Sequence, residues 1–129
     1  MVLRYTVLES LMKRGIIPIN KDFELEYRYY DRDVRYKYFN RKFEIYLIEK
    51  KGLRKKYLLH MDNCDFSSEN WSPHIHKASN VNKKLYFGVS TLNWSDIKNN
   101  FFECVVGEIG ENSRKSVKKA VGKILSPKC

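Results

Sequence analysis

All three histidines of the 129-residue chain lie between residues 60 and 76. His74 and His76 stand one residue apart in WSPHIHK, and His60 precedes them in YLLHMDN. Imidazole gains and loses a proton near neutral pH, so a histidine can act as a general acid or base. Two imidazoles suit RNA cleavage, where one takes the 2′-hydroxyl proton and the other protonates the leaving oxygen. The concentration of histidines therefore predicts acid–base chemistry.

Strand geometry would bring these side chains together. Alternate residues of a strand share a face, so His60 should point with Asp62, and His74 with His76 if that segment is extended. Pro73 favours extended backbone immediately before it. If this segment folds back beside the strand that carries His60, all four side chains converge, and we take them as the candidate catalytic residues. His74 and His76 would be the acid–base pair, with His60 and Asp62 orienting or assisting them.

Three other interpretations of these histidines stay open. The His-x-His pair and His60 could bind a divalent metal such as zinc, although their spacing matches no closed zinc-finger pattern. Trp71 and the histidines could stack on bases without any catalysis. The histidines could also serve only packing and hydrogen bonding. Acid–base chemistry without a resident cofactor is the interpretation we prefer.

Basic and aromatic residues indicate the partner. The formal net charge is +10, which favours binding to polyanions, nucleic acid above all. In YRYYDRDVRYKYFNRK, cations that can hold phosphates alternate with tyrosines that can stack on unpaired bases. The same alternation is also typical of a solvated sheet face. The candidate RNA contacts are Arg28, Arg35, Lys37, Arg41, Lys42, Trp71 and Lys77.

Period-two alternation predicts the strands that would position these residues. It occurs in FELEYRYY, VRYKYF, FEIYLIE and RKKYLLHMD, between residues 23 and 62, with a hairpin turn at KKGL. Short connections between consecutive strands predict antiparallel pairing. KLYFGVS at 84–90 would be a fifth strand, and the polar stretch 63–82 a loop that carries the His-x-His pair.

Helices are predicted at both ends of the chain. Apolar residues spaced by three and four over 3–14 predict an N-terminal helix that ends at Gly15. Two C-terminal helices should begin near Ser95 and near residues 112–113. The predicted fold class is α+β: an antiparallel sheet of four to five strands flanked by one N-terminal and two C-terminal helices. A single domain over residues 1–129 is expected.

Several classes of protein find no support in the sequence. Neither GxxxxGK[ST] nor GxGxxG occurs, so nothing favours binding of ATP or a dinucleotide. No apolar run of about 18 residues predicts a membrane span, and MVLRYTVLESLMKRG lacks the apolar centre of a signal peptide. The three cysteines include no CxxC pair, which fits a reducing compartment and predicts a cytoplasmic protein.

The order of features resembles the TumE-type toxins of small toxin–antitoxin pairs. The similarity covers about residues 23–80 and lies in YRYYDRDVRYKYF, in the Asp–Asn pair of HMDN and in PHIH. It carries over Asp62, Asn63, His74 and His76. The resemblance implies a compact α+β domain, toxicity exerted on RNA or translation, and a cognate antitoxin as partner.

Together, these features predict a toxin-like endoribonuclease. One alternative is a nucleic-acid-binding module without catalysis. Another is a protein-interaction subunit of a defence or virus-derived complex. A homodimer also stays open as an arrangement of the chain.

Overall fold

Six antiparallel strands form one sheet in which each strand pairs with its neighbour in sequence. The computed structural model describes residues 11–30, 43–62, 74–87 and 94–124. The strands are β1 Leu11–Pro18, β2 Phe23–Tyr30, β3 Phe43–Lys51, β4 Arg54–Asp62, β5 His74–Lys77 and β6 Asn80–Phe87. Helix α1 spans Trp94–Ile109, a 3-10 turn spans Glu111–Ser113, and helix α2 spans Arg114–Gly122. The predicted α+β class and the antiparallel meander are confirmed.

The alternation of side chains gives the sheet two different faces. One face, called the core face, carries apolar residues such as Leu25, Ile45 and Leu59, all fully buried. Both helices pack on this face through residues such as Phe101 and Val117. The opposite face, called the polar face, carries the intervening residues of the same strands. Burial of the core face thus fixes which residues reach the polar face.

The β3–β4 hairpin closes at Gly52, as KKGL predicts. Gly52 has φ of 62°, and no residue other than glycine has positive φ in the described ranges. A positive φ at the first central position alone is the pattern of a type II′ turn, which matches the twist of the paired strands. Strands β2, β3 and β4 and the two C-terminal helices also form where the sequence predicts them. The expected strand in VRYKYF, 34–39, lies outside the described residues.

Two predictions about local structure were wrong. Residues 11–14 of the expected N-terminal helix belong to β1, because pairing with β2 lets Ile17 enter the core; residues 3–10 lie outside the described part. In the expected loop 63–82, residues 74–77 form β5 and residues 80–82 begin β6.

The physical reason for β5 is that it is paired on both sides. Its backbone is hydrogen-bonded to β4 and to β6, and Ile75 is fully buried in the core. Burial of an isoleucine side chain stabilises by roughly 2 kcal/mol, which helps to hold this short polar strand in the sheet. The sheet consequently has six strands rather than four to five. The last one ends at Phe87, and residues 88–90 of the expected fifth strand lie outside the described ranges.

None of the helices in the described ranges combines the length and the apolar character that crossing a membrane requires.

Candidate functional site

The pairing of β4 with β5 brings the histidines together. His76 lies directly opposite His60, and His74 lies opposite Asp62. The His60 and His76 rings meet edge to face with their centroids 4.9 Å apart, and the His74 and His76 centroids are 5.6 Å apart. The three imidazoles therefore lie side by side on the polar face.

Strand β3 adds a tyrosine and a glutamate to the histidines. Tyr46 is opposite His60, and the two rings are stacked with centroids 4.4 Å apart and planes 3° from parallel. Oε1 of Glu44 accepts a hydrogen bond from the Tyr46 hydroxyl at 2.9 Å and lies 3.1 Å from Nε2 of His60. With Nε2 of His60 as the donor, Oε1 of Glu44 accepts a hydrogen bond from each of the two rings. Glu44 thus orients the His60 imidazole.

On the other side of Tyr46, an ion-pair cluster continues across the polar face. The Arg28 guanidinium lies 5.0 Å from the centre of the Tyr46 ring and donates to Oε2 of Glu26 at 2.6 Å. Arg14 donates to the same oxygen at 3.1 Å. Burial by itself would raise the pKa of Glu26, but the bonds and charges of Arg28 and Arg14 outweigh it, so that this pKa lies below its ordinary value.

Four of these residues stand opposite one another on four successive strands. Glu26 is opposite Tyr46, Tyr46 is opposite His60, and His60 is opposite His76. We call this set the cross-strand row: Glu26, Tyr46, His60 and His76. The His76 ring contacts the His60 ring, and the His60 ring stacks on Tyr46. Tyr46 in turn contacts Arg28, which is paired with Glu26, so the row joins the histidines to the Arg28–Glu26 pair.

Two members of the row are buried, although the described helices pack on the other face: Glu26 is 1% exposed and His76 7%. Tyr46 and His60 are partly buried, and Glu44 beside them is 2% exposed. Polar groups removed from water require hydrogen-bonding or charged partners, and the contacts above supply them. Tyr57 is 43% exposed on the polar face, although Ile48 opposite it is fully buried, and its ring lies 5.1 Å from that of Tyr46, centroid to centroid. Within the described residues, the polar face thus opens towards solvent at Tyr57.

The remaining predicted site residues are not all beside the histidines. Lys77 follows His76, but alternation turns it to the core face, where its Nζ lies 3.6 Å from Glu108 of α1. Arg28 is on the polar face, and the backbone of Asp62 lies opposite Glu44 and His74. The other predicted positions, outside the described residues, are Arg35, Lys37, Arg41, Lys42, Asn63 and Trp71.

Glu44, Tyr46 and Glu26 were missing from the sequence-based site. Their signal was present in the alternation of FELEYRYY and FEIYLIE, which places all three on the face opposite the apolar residues. Alternation identifies that face but does not show that its polar residues are buried. The register between strands, which the sequence leaves open, is what aligns them with the histidines.

A metal site is not seen in the described portion of the chain, where no group of three or more His, Cys, Asp or Glu is arranged to hold an ion. The imidazoles of the cluster instead contact other rings and the carboxylate of Glu44.

Comparison with known proteins finds no matching family model, no similar curated protein and no similar solved structure. Function is therefore inferred from the geometry of the cross-strand row.

Proposed function

We propose that the protein is a metal-independent endoribonuclease that cleaves RNA by acid–base catalysis at the cross-strand row. The observation that carries the proposal is the pairing of His60 with His76, 4.9 Å apart, while Glu44 holds His60 at 3.1 Å. Two neighbouring imidazoles, one of them backed by a carboxylate, form the arrangement that concerted proton transfer requires.

The reaction needs two proton transfers at one phosphodiester. One imidazole accepts the proton of a ribose 2′-hydroxyl, and that oxygen then attacks the adjacent phosphorus. The bond between phosphorus and the 5′-oxygen breaks, and a second, protonated imidazole gives its proton to the departing oxygen. The products are a 2′,3′-cyclic phosphate and a 5′-hydroxyl, with no water or metal consumed.

The contacts favour a division of roles between the two histidines. His60 is the general base, because the Glu44 carboxylate stabilises the imidazolium that forms when His60 takes up a proton. His76 is the general acid, with the ring of His74 beside it. In this assignment Glu44 takes the orienting role that the sequence had suggested for Asp62.

Positive charge for the phosphate is also available on the polar face. Arg28 is directly opposite Glu44 on the neighbouring strand, and its guanidinium, which donates to Glu26, places positive charge where it can stabilise a phosphate. The net charge of +10 supports contact with RNA. Toxin-like action in the cytoplasm, restrained by a cognate antitoxin, belongs to the same proposal and draws on the resemblance to TumE-type toxins.

The test is cleavage of end-labelled single-stranded RNA by the wild type, His60→Gln and His76→Gln, each with and without EDTA. We expect EDTA-resistant cleavage that leaves 2′,3′-cyclic ends and at least about a hundredfold loss in either variant. Circular dichroism and urea unfolding check that the variants fold. Cleavage by folded variants at the wild-type rate contradicts the assignment, and EDTA-sensitive cleavage with 3′-hydroxyl ends contradicts metal independence.

The wild type offers a second test that needs no variant. Catalysis by one base and one acid gives a bell-shaped dependence of kcat/KM on pH. A rate that rises steadily with pH, as hydroxide attack would give, contradicts the pair.

A second candidate function is RNA binding without catalysis, and the burial of His74 and His76 favours it. In this alternative the histidines hold β5 to β4, and the exposed surface near Tyr57 carries the contact. It predicts that the logarithm of the binding constant falls linearly with the logarithm of the salt concentration, and that no cleavage occurs under any condition.

A further inference from the structure

An aromatic ladder on the polar face leads from solvent to the histidines. It consists of Tyr57, Tyr46 and His60: the two tyrosine centroids are 5.1 Å apart, and those of Tyr46 and His60 are 4.4 Å apart. Exposure falls along the ladder, from 43% for Tyr57 to 15% for the His60 side chain. Tyr57 is therefore the one ring of this ladder that a large ligand reaches directly.

The surface around Tyr57 is strongly basic. The sequence KKGLRKKY, residues 50–57, has five cations and no acidic residue. Lys50 and Lys55 are opposite each other and reach the polar face, where both lie within 4.0 Å of Glu24. One carboxylate between two ammonium groups leaves a net positive charge beside Tyr57. This charge attracts a polyanion.

An exposed ring beside cations is the combination that binds single-stranded nucleic acid. Bases stack on aromatic faces whatever their identity, while lysines neutralise the neighbouring phosphates. Tyr46 lies against Tyr57 from behind, so that little motional freedom is lost when a base stacks on the exposed side. A duplex does not satisfy this site, because its base faces are already stacked on each other.

We propose that Tyr57 is a stacking platform for one unpaired base of a single-stranded RNA, next to the phosphate that reaches His60. This inference rests on the proposed ribonuclease function for its placement beside a scissile phosphate. It defines the substrate class as unpaired RNA. It also gives the strand a direction of approach, from the β3–β4 turn along the polar face.

The test measures binding rather than cleavage, so its failure is distinguishable from failure of the catalytic proposal. The ligand is a 2′-O-methyl single strand, which has no 2′-hydroxyl and cannot be cleaved by the proposed reaction. One internal base is 2-aminopurine, whose fluorescence reports stacking. We expect Tyr57→Ala to weaken binding roughly 5- to 100-fold, the effect of losing one base–aromatic stack, and Tyr57→Phe to remain within about twofold of wild type.

Leu53→Ala is the matched control, because Leu53 is a fully exposed apolar residue on the same hairpin. Tyr57→Ala should abolish the quenching of 2-aminopurine, whereas Leu53→Ala should preserve both quenching and affinity. The same sequence in duplex form should bind more weakly, with no response to Tyr57→Ala. Equal losses for the two alanine variants, or equal sensitivity of duplex and single strand, overturn the stacking assignment.

Discussion

Glu44 and His60 contact each other diagonally across β3 and β4. Glu44 is opposite Asp62 in the register and Tyr46 is opposite His60, yet the Glu44 side chain reaches His60 with 3.1 Å between Oε1 and Nε2. Diagonal neighbours on a sheet face are within reach of long side chains. The same oxygen also accepts the Tyr46 hydroxyl at 2.9 Å, so that one carboxylate holds both rings.

This shared carboxylate gives the first prediction, which concerns stability. Glu44→Ala should lower the free energy of unfolding by about 2–4 kcal/mol, because it leaves the His60 and Tyr46 donors without this acceptor in a buried setting. Tyr46→Phe removes one donor and should cost only about 1 kcal/mol. Urea unfolding followed by circular dichroism measures both. A larger loss for Tyr46→Phe than for Glu44→Ala would show that Glu44 is not the central acceptor.

The second prediction separates the charge of Glu44 from its hydrogen bonds. Glu44→Gln keeps an oxygen acceptor of the same shape but removes the carboxylate that, in the proposed mechanism, stabilises the imidazolium formed during the reaction. We expect kcat for RNA cleavage to fall by roughly a hundredfold or more while KM changes little, since the charge acts in the transition state. Steady-state kinetics provides the measurement. An unchanged kcat in the folded variant would place Glu44 outside the reaction.

The third prediction concerns acid stability. The pKa of Glu26 is lower in the folded protein than its ordinary value of 4.5, so the unfolded chain takes up this proton first as the pH falls. The stabilisation from Glu26 is present above pH 4.5 and is lost as the pH falls through the lower folded pKa. Glu26→Gln should therefore lose less stability than the wild type below about pH 4.5, by up to about 1.4 kcal/mol per pH unit. Parallel curves of unfolding free energy against pH would refute this.

The fourth prediction tests the packing of Tyr27 over Gly15. These residues are opposite each other on β1 and β2, and a Cβ added to Gly15 would overlap the Tyr27 ring. Gly15→Ala should destabilise by about 1–3 kcal/mol because the ring must move. In a Tyr27→Ala background the same substitution should cost far less, which a double-mutant cycle measures as a coupling energy. Additive effects would mean that the ring is not what restricts residue 15.

The fifth prediction compares glycines that receive the same substitution in different backbone conformations. Gly52→Ala at φ 62°, the first central position of a type II′ turn, and Gly110→Ala at φ 111° should each cost about 1–3 kcal/mol, since both conformations favour glycine. Gly107→Ala in α1 is the control and should stabilise by about 0.5–1 kcal/mol. Apart from the adjoining backbone, none of the three added methyl groups meets another atom within 4 Å, so thermal unfolding reports mainly on backbone conformation.

The strands that could be predicted from sequence are those with strong alternation. In FELEYRYY and FEIYLIE, apolar and polar residues alternate over several positions, and Gly52 marks the turn that follows the second of them. β1 was harder because Leu8, Leu11 and Met12 imitate helical spacing, and its strand conformation depends on pairing with β2. β5 has only four residues, too few to show a clear alternation. It is a strand because it pairs with β4 and β6, and a local sequence pattern does not reveal such pairing.

The candidate site was predictable only in part for the same reason. The histidine window is visible in the sequence, and alternation shows which of its residues share a face. The partners of His60 come from β3, and their alignment depends on the bulge and register that only the assembled sheet defines. Lys77 was expected beside the histidines because it follows His76 in sequence. Neighbouring residues of a strand point to opposite faces, however, so Lys77 lies on the core face.

The alternation of β5, with both histidines on the polar face and Ile75 in the core, also limits how this protein can vary over evolution. A single-residue insertion or deletion inside HIHK would exchange the imidazoles for Ile75, and would damage the core and the site in one event. Changes of length in the segments that join strands do not alter which residues of β5 face the core. Descendants of this sequence should therefore accumulate length differences between strands, while the spacing of the two histidines around Ile75 is inherited without a gap.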